Sequence, residues 1–485
     1  MEHADFDVLI IGAGLSGIGM ACHLQRACPD STFAILEGRE SMGGTWDLFR
    51  YPGVRADSDM HTLSYQFKPW QGKLEIADGS SILQYIQDTA AEYDIEAKIR
   101  FGHAVEKASW SSTDAKWTVE AKQRSSGEAV RLTCRMLLLC VGYYSYESGY
   151  TPDFDGRESF QGQIVHPQQW PSDFDYTGKR IIVIGSGATA VSMVPVLAED
   201  AQHVVMLQRS PTYMMSRPGA SGLWKFLRTM LPARSAAAIG RWWNQTLNGF
   251  FYRRSRQKPD RVRQFLLNGV RDELGPDYEV EKHFSPDYSP WDQRLCLVRD
   301  GDLFASIRSG NASVVTDHID RFTERGILLE SGQELEADIV ITATGLQMEV
   351  WGGIAVEVDG RVVDPAETFS YKGAMNSDVP NLVTTFGYIN ASWTLRADLI
   401  AEFTCRLINH MRRNNFTRCT PRVSDSGRTM NGRPFIEDFT PNYILRAIDR
   451  MPRQGDHEPW VNVQDYQQEK SMFRRPLDDG TLVFE

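Results

Sequence analysis

The apolar positions of this chain fall into short, nearly unbroken runs that end in glycine. DVLII at residues 7–11 and RIIVI at residues 180–184 lack the alternation of a half-exposed strand, and so predict strands buried on both faces of a parallel sheet. Each run enters a glycine-rich turn, GAGLSG at residues 12–17 and GSGATA at residues 185–190, and each turn opens a helical pattern. Second strands are predicted at residues 33–36 and 204–207. A helix is expected near residues 81–93, and residues 117–122 and 130–140 predict a β-meander closing the first unit. LLLCVG (residues 137–142) and ADIVITATG (residues 337–345) are further buried strands running into glycine. This order predicts an α/β fold with two Rossmann-like dinucleotide-binding domains.

The charges that follow the two turns have opposite sign. Glu37 ends the second strand of the first unit, and Arg209 ends that of the second. Glycines such as Gly12, Gly14 and Gly17 permit the tight turn and the close approach of a pyrophosphate, which sits on the N-terminus of the next helix. Gly185, Ser186, Gly187, Ala188, Thr189, Ala190 and Val191 form the corresponding turn of the second unit. A carboxylate at the strand end bonds free ribose hydroxyls and repels a 2′-phosphate, whereas a guanidinium pairs with that phosphate. Glu37 therefore points to FAD, and Arg209 with Ser210 points to NADPH.

At 485 residues the chain is too long for one ordinary core. The expected division is an FAD domain beginning at 1–150, a linker at 151–177, an NADPH domain at 178–345, and a C-terminal part, 346–485, returning to the first domain. Apolar residues make up 42% and charged residues 24%, ordinary values for a globular protein. No apolar run reaches the roughly 18 residues that span a bilayer. The acidic start, MEHADFD, runs straight into the first strand without a secretory or transit signal, so a cytoplasmic location is expected. A net charge of -11 argues against a nucleic-acid partner.

Seven cysteines without a CxxC spacing read as reduced, packing thiols. Cys22 and Cys28 fall on the first helical pattern, and Cys134 and Cys140 flank a strand. Their spacing weakens the case for a flavin-dependent disulfide reductase, which would also carry two nucleotide turns. No histidine spacing such as HExxH suggests a metal site.

A helical insertion is predicted at residues 221–275 of the NADPH domain. Its stretch 221–263 holds ten Lys or Arg against a single acid, Asp260, with Trp and Phe interleaved. Such a segment reads either as a lid over a pocket or as a peripheral contact with an anionic membrane surface.

Two longer motifs lie outside the turns. FQGQIVHPQQWP fits FxGxxxHxxxWP through Phe160, Gly162, His166, Trp170 and Pro171, and GGTWDLFRYPGVRAD fits GGxWxxxxYPGxxxD over residues 43–57. Both resemble the signatures of type I Baeyer-Villiger monooxygenases, which are class B flavoprotein monooxygenases holding FAD and NADPH. The resemblance covers almost the whole chain. Runs such as VIGSGATAV, LQRSPTY, PWDQRLCLV and NASWTL are especially similar to the mycobacterial ethionamide-activating branch. In one departure, Ser172 follows the Trp-Pro pair where the family often has Asp or Asn.

The resemblance implies conversion of ketones to esters or lactones with O2 through a C4a-peroxyflavin, with sulfoxidation of thioethers as a side activity. An anionic flavin oxygen adduct needs a fixed cation in a dry pocket, and arginine supplies one that keeps its proton. Arg294 occupies the matching place, and the resemblance makes Asp57 its partner. It also places Ser16 at the FAD pyrophosphate, and Gly44, Thr45, Trp46, Asp47, Leu48, Arg55, Ala56 and Asp57 along the cofactor's path. The backbone of Val105 would meet the adenine. His166 is read as a linker histidine bonded to backbone that couples NADPH binding to domain movement, with Trp170 and Pro171 anchoring the linker.

Three other readings stay open: an N- or S-oxygenating flavin monooxygenase, a flavin-dependent NADPH reductase serving a protein partner, and a membrane-binding module. Replacing Arg209 by Glu is expected to raise KM for NADPH far more than KM for NADH. Equal effects on the two would sink the assignment of Arg209 to the 2′-phosphate.

Overall fold

The structure is a computed structural model, and it describes residues 4–423, 430–437 and 439–485. Strand Phe6–Ile11 runs parallel to Phe33–Leu36 on one side and to Ala129–Leu139 on the other. Its residues divide between two cores. Val8 and Ile10 pack with helix Leu15–Ala27, while Leu9 and Ile11 pack with Trp110 and Trp117 on the opposite face. Burial on both faces is why the run is apolar at consecutive positions.

Nine strands make up this first sheet. The antiparallel strands His103–Ser111, Lys116–Gln123 and Ala129–Leu139 form its meander. The C-terminal part returns to it twice. Ala355–Val358 pairs with His103–Ser111, and Leu382–Thr384 with Ala129–Leu139, both in parallel. The helix expected near residues 81–93 is Gly79–Glu92. Cys28 caps the end of helix Leu15–Ala27 instead of lying on it, and all seven cysteines are buried and free.

The second sheet has five parallel strands in the order Ala312–Thr316, His203–Gln208, Arg180–Ile184, Ile339–Thr342, Gln163–Val165. Its central strand is again divided, with Ile181 and Val183 in one core and Ile182 and Ile184 in another. The edge strand Gln163–Val165 comes from within the segment read as a linker. Between the two sheets the chain passes out along Tyr144–Gly149 and back along Leu346–Met348, and these passes pair antiparallel.

The insertion consists of helices Gly222–Met230, Ala233–Gln257 and Pro259–Leu274. It is flanked by strands Met214–Arg217 and Cys296–Arg299, which pair in parallel. No helix among the described residues is long and apolar enough to cross a membrane.

One buried ion pair fastens the C-terminal part. Arg396, on helix Trp393–Asn414, donates to Glu469 at 2.9 Å, and Glu469 also accepts from the Tyr388 hydroxyl at 2.8 Å. Both members are fully buried, so removing one strands the other charge. Arg396→Ala is expected to cost about 3–5 kcal/mol in denaturant unfolding, with Arg396→Met/Glu469→Leu recovering much of that loss.

Candidate cofactor and active site

The two glycine turns are built alike. Gly12 is left-handed (φ +99°), and a Cβ there would stand 2.6 Å from the Cys140 carbonyl oxygen. Gly185 (φ +133°) bears the same relation to the Ala343 carbonyl oxygen, at 2.4 Å. Each following helix, Leu15–Ala27 or Ala188–Asp200, has a glycine N-cap, no side-chain cap and no acid in its first turn. Their first-turn N–H groups thus lack a side-chain partner and carry the positive end of the helix dipole. A Cβ on Gly17 would strike the Gly12 carbonyl oxygen at 1.8 Å, and the equivalent Ala190 is buried beside Val191. A Cβ on Gly187 would meet nothing within 4 Å, which leaves room above the second turn.

Glu37 is buried, and its carboxylate accepts the Ala13 N–H at 2.7 Å and the Arg39 N–H at 2.9 Å. Burial raises its pKa, against the pull of those two amides. Gly14 lies against Gly44, with 3.4 Å from a Cβ to the Gly44 Cα. Thr45–Leu48 forms one helical turn, with Trp46 on the first core and Leu48 on the second. The Asp47 carboxylate accepts from Arg39 and Arg50, each at 2.6 Å, and from Ser41 at 2.5 Å, so it braces this turn. Ala56 is buried and bonds the Ala77 carbonyl. Val105 stands where the register of its strand slips. In the second unit, the Ser186 hydroxyl bonds Thr212 at 2.8 Å and the Ser210 carbonyl at 3.2 Å. Ala188 and Thr189 open the helix, and Arg209 is exposed and forms no ion pair among the described residues.

The YPG stretch leaves the first core for the second. Phe49 and Tyr51 are buried among second-unit residues, and Gly53 (φ +84°) approaches helix Ala188–Asp200 so closely that a Cβ would lie 2.1 Å from the Ser192 carbonyl oxygen. Arg55 continues the crossing with both guanidinium nitrogens on Asp302. Asp57 then meets Arg294 at 2.6 Å, and Arg294 also donates to the Ile389 carbonyl at 2.9 Å. Burial works against the charge on Arg294, but Asp57, with Tyr443 and Tyr143, more than offsets it and holds the guanidinium above its usual range.

An aromatic group connects this pair to the first turn. Tyr143 stacks on Trp393 with centroids 5.1 Å apart, and the Trp393 indole N–H donates to the Ser16 hydroxyl at 2.7 Å. The Tyr143 and Tyr144 hydroxyls bond each other at 2.7 Å. Sequence reasoning missed Tyr143, Tyr144 and Tyr443. The doubled tyrosine directly after LLLCVG was the available signal, while Tyr443 had none.

His166 lies on the crossing between the units. Its Nε2 donates to the Gly345 carbonyl at 3.2 Å, and its Nδ1 accepts the Gln168 N–H at 3.1 Å, which defines a neutral tautomer. A Cβ on Gly149 would fall 1.9 Å from the imidazole, so the ring touches both passes of the chain. Trp170 packs edge-on against Phe174 at 5.1 Å, Phe160 is buried against Phe322, and Pro171 is exposed. A Cβ on Gly162 would lie 2.4 Å from the Asp338 carbonyl oxygen.

A model of the NAD(P)-binding Rossmann-like domain matches residues 10–71, and the flavin-binding monooxygenase-like model matches residues 66–270. The FAD-containing monooxygenase EthA of Mycobacterium tuberculosis is 52% identical over 485 residues, covering 100% of this chain and 98% of that protein. The chain belongs to the FAD-containing monooxygenases. Two crystal structures share its fold. A complex of OTEMO with FAD and NADP has a TM-score of 0.76 at 20% identity over 100% of both chains. Cyclohexanone monooxygenase bound to ε-caprolactone has a TM-score of 0.74 at 19% identity over 99% of both.

This FAD-containing monooxygenase has turns that fit dinucleotides on their own geometry. Both helices open without a side-chain cap, which suits an anion, and the first turn is followed by a buried carboxylate and the second by an arginine that forms no ion pair among the described residues.

Burial lowers the His166 pKa, with the Gly345 bond opposing. An imidazole kept neutral in the fold is protonated first in the unfolded chain, so its contribution falls as pH drops below about 6.5. His166→Asn is therefore expected to flatten the loss of stability between neutral and mildly acid pH, read by denaturant unfolding at each pH. An unchanged slope would count against a buried neutral imidazole.

Proposed function

We propose that this FAD-containing monooxygenase uses NADPH and O2 to insert one oxygen atom beside the carbonyl of an apolar ketone, forming an ester or lactone. When bound, FAD supplies oxygen activation and NADPH supplies the reducing equivalents. The observation that carries the reading is the guanidinium of Arg294, held by Asp57 at 2.6 Å and by the Ile389 carbonyl. A positioned cation stabilises the oxyanion that develops when a nucleophilic oxygen adds to a carbonyl carbon. Arginine does so without giving up a proton. The lactone in related cyclohexanone monooxygenase is the kind of product that insertion beside a cyclic ketone yields.

In this reading Ser16 and the first-turn amides hold the FAD pyrophosphate and Glu37 its adenosine ribose. Residues 185–191 hold the NADPH pyrophosphate, and Arg209 with Ser210 the 2′-phosphate. Residues 1–150 and 346–485 form the FAD unit, and 178–345 the NADPH unit. The motif around His166 then couples their relative movement, because its ring rests on both crossing strands. The enzyme works in the cytoplasm, with residues 221–263 meeting a membrane surface.

Thioether oxidation is the second activity, and it separates cleanly from the first. Sulfur is itself nucleophilic, so its oxidation forms no oxyanion at a carbonyl carbon and depends on the Arg294 charge less than ketone oxidation does. Arg294→Ala is expected to retain flavin and its reduction by NADPH while ester formation falls about 10²–10³-fold. Sulfoxide formation should fall less. Products from a ketone panel under labelled dioxygen measure both, and undiminished ester formation would overturn the role of Arg294.

A further inference from the structure

Helix Ala233–Gln257 is inverted relative to an ordinary surface helix. Its packed face is small and polar: Gly240 beds on the His61 ring, Asn244 accepts from Arg217 at 2.5 Å, and Ser255 is buried. Arg241 reinforces that face by donating to the carbonyls of His61 and Ser64 at 3.1 and 2.8 Å. The outward face carries Ile239, Trp242, Trp243, Leu247 and Phe250 at helical spacing, with Trp242 61% and Phe250 59% exposed. Globular surface helices place these classes the other way round. The preceding helix, Gly222–Met230, turns Leu223, Phe226 and Met230 outward while Trp224 and Leu227 are buried. Among the described residues, nine of the eleven exposed large apolar side chains lie in this insertion.

Charge identifies what covers this face. Residues 221–263 carry ten Lys or Arg against Asp260, in a chain whose net charge is -11. An apolar partner with a negative surface satisfies both features, and two adjacent tryptophans suit a boundary between water and hydrocarbon. No helix among the described residues can span a bilayer, so the contact lies in the plane of its surface.

We propose that the outward face of the insertion seats in the interface of an anionic lipid bilayer, with Trp242, Trp243 and Phe250 entering the boundary between headgroups and acyl chains. The inference rests on the membrane reading of residues 221–263 and specifies the side chains that make the contact. The near half of the long helix packs on His61 and Ser64, shortly after Asp57, and its far end touches the loop before Arg294, with Tyr252 on Trp291 at 5.7 Å and Arg256 on Asp292 at 2.6 Å. The seated helix thus holds the Asp57–Arg294 site beside the bilayer, where apolar ketones and thioethers concentrate.

The test is flotation of the holoenzyme with vesicles of phosphatidylcholine alone and of equimolar phosphatidylcholine and phosphatidylglycerol. Wild type is expected on the anionic vesicles, with indole emission quenched by brominated acyl chains. Trp242→Ser/Trp243→Ser/Phe250→Ser should weaken that binding by roughly tenfold or more while turnover of a water-soluble ketone stays unchanged. Absence of wild-type binding to either vesicle overturns the membrane reading and the inference together. Binding that survives the triple variant but is lost in Lys225→Glu/Arg253→Glu keeps an electrostatic membrane contact and overturns the inserted face. Sedimentation showing a wild-type dimer that the triple variant abolishes, without vesicle binding, makes a second copy the occupant and overturns the proposal.

Discussion

The ion pair between Asp57 and Arg294 is where the two halves of this protein meet, and much of the chain serves to hold it. At 2.6 Å with both side chains about one-third exposed, it adds little stability, since such pairs contribute about 0–1 kcal/mol. Its value lies in position. Asp57 is brought there by a segment that leaves the first core, buries Phe49 and Tyr51 in the second, and presses Gly53 against Ser192. Arg294 lies just before strand Cys296–Arg299, beyond the insertion, and donates to the Ile389 carbonyl. A guanidinium held by both Asp57 and the Ile389 carbonyl keeps its charge and its place.

His166 sits at the same crossing. Its two ring nitrogens are committed to backbone groups, and its face rests on Gly149 in the outgoing pass while its Nε2 reaches Gly345 in the returning one. The insertion belongs to the second unit by sequence and packs on the first at His61 and Ser64, so it too spans the pair. Its inverted helix combines both tasks, a polar face for docking and an apolar one turned outward.

Much of the fold was legible in the chain for a simple reason: strands buried on both faces are apolar at every position, and the glycines that follow them leave little ambiguity. The exceptions were short or shared elements. Gln163–Val165 reads as linker because a three-residue edge strand, half covered, has no periodicity to detect. The partners of Asp47 and Arg55 were equally hidden: Arg39, Arg50 and Ser41 bond the first, and Asp302 the second. Motif spacing records where a residue lies along the chain and carries no record of the partner that folding supplies.

Residue types and spacing alone determined two dinucleotide units, the opposite charges of Glu37 and Arg209 that follow their second strands, and the basic, aromatic character of the insertion. These are local properties, set by strand, turn and helix over a few dozen residues. Only the tertiary structure decided that Tyr143 and Trp393 join Ser16 to the neighbourhood of Arg294, and that the tryptophans of the insertion face outward. Both outcomes depend on groups hundreds of residues apart competing for the same buried surface. The helix turned its small, polar side inward because His61, Ser64 and Arg217 offered hydrogen bonds there that apolar side chains could not satisfy.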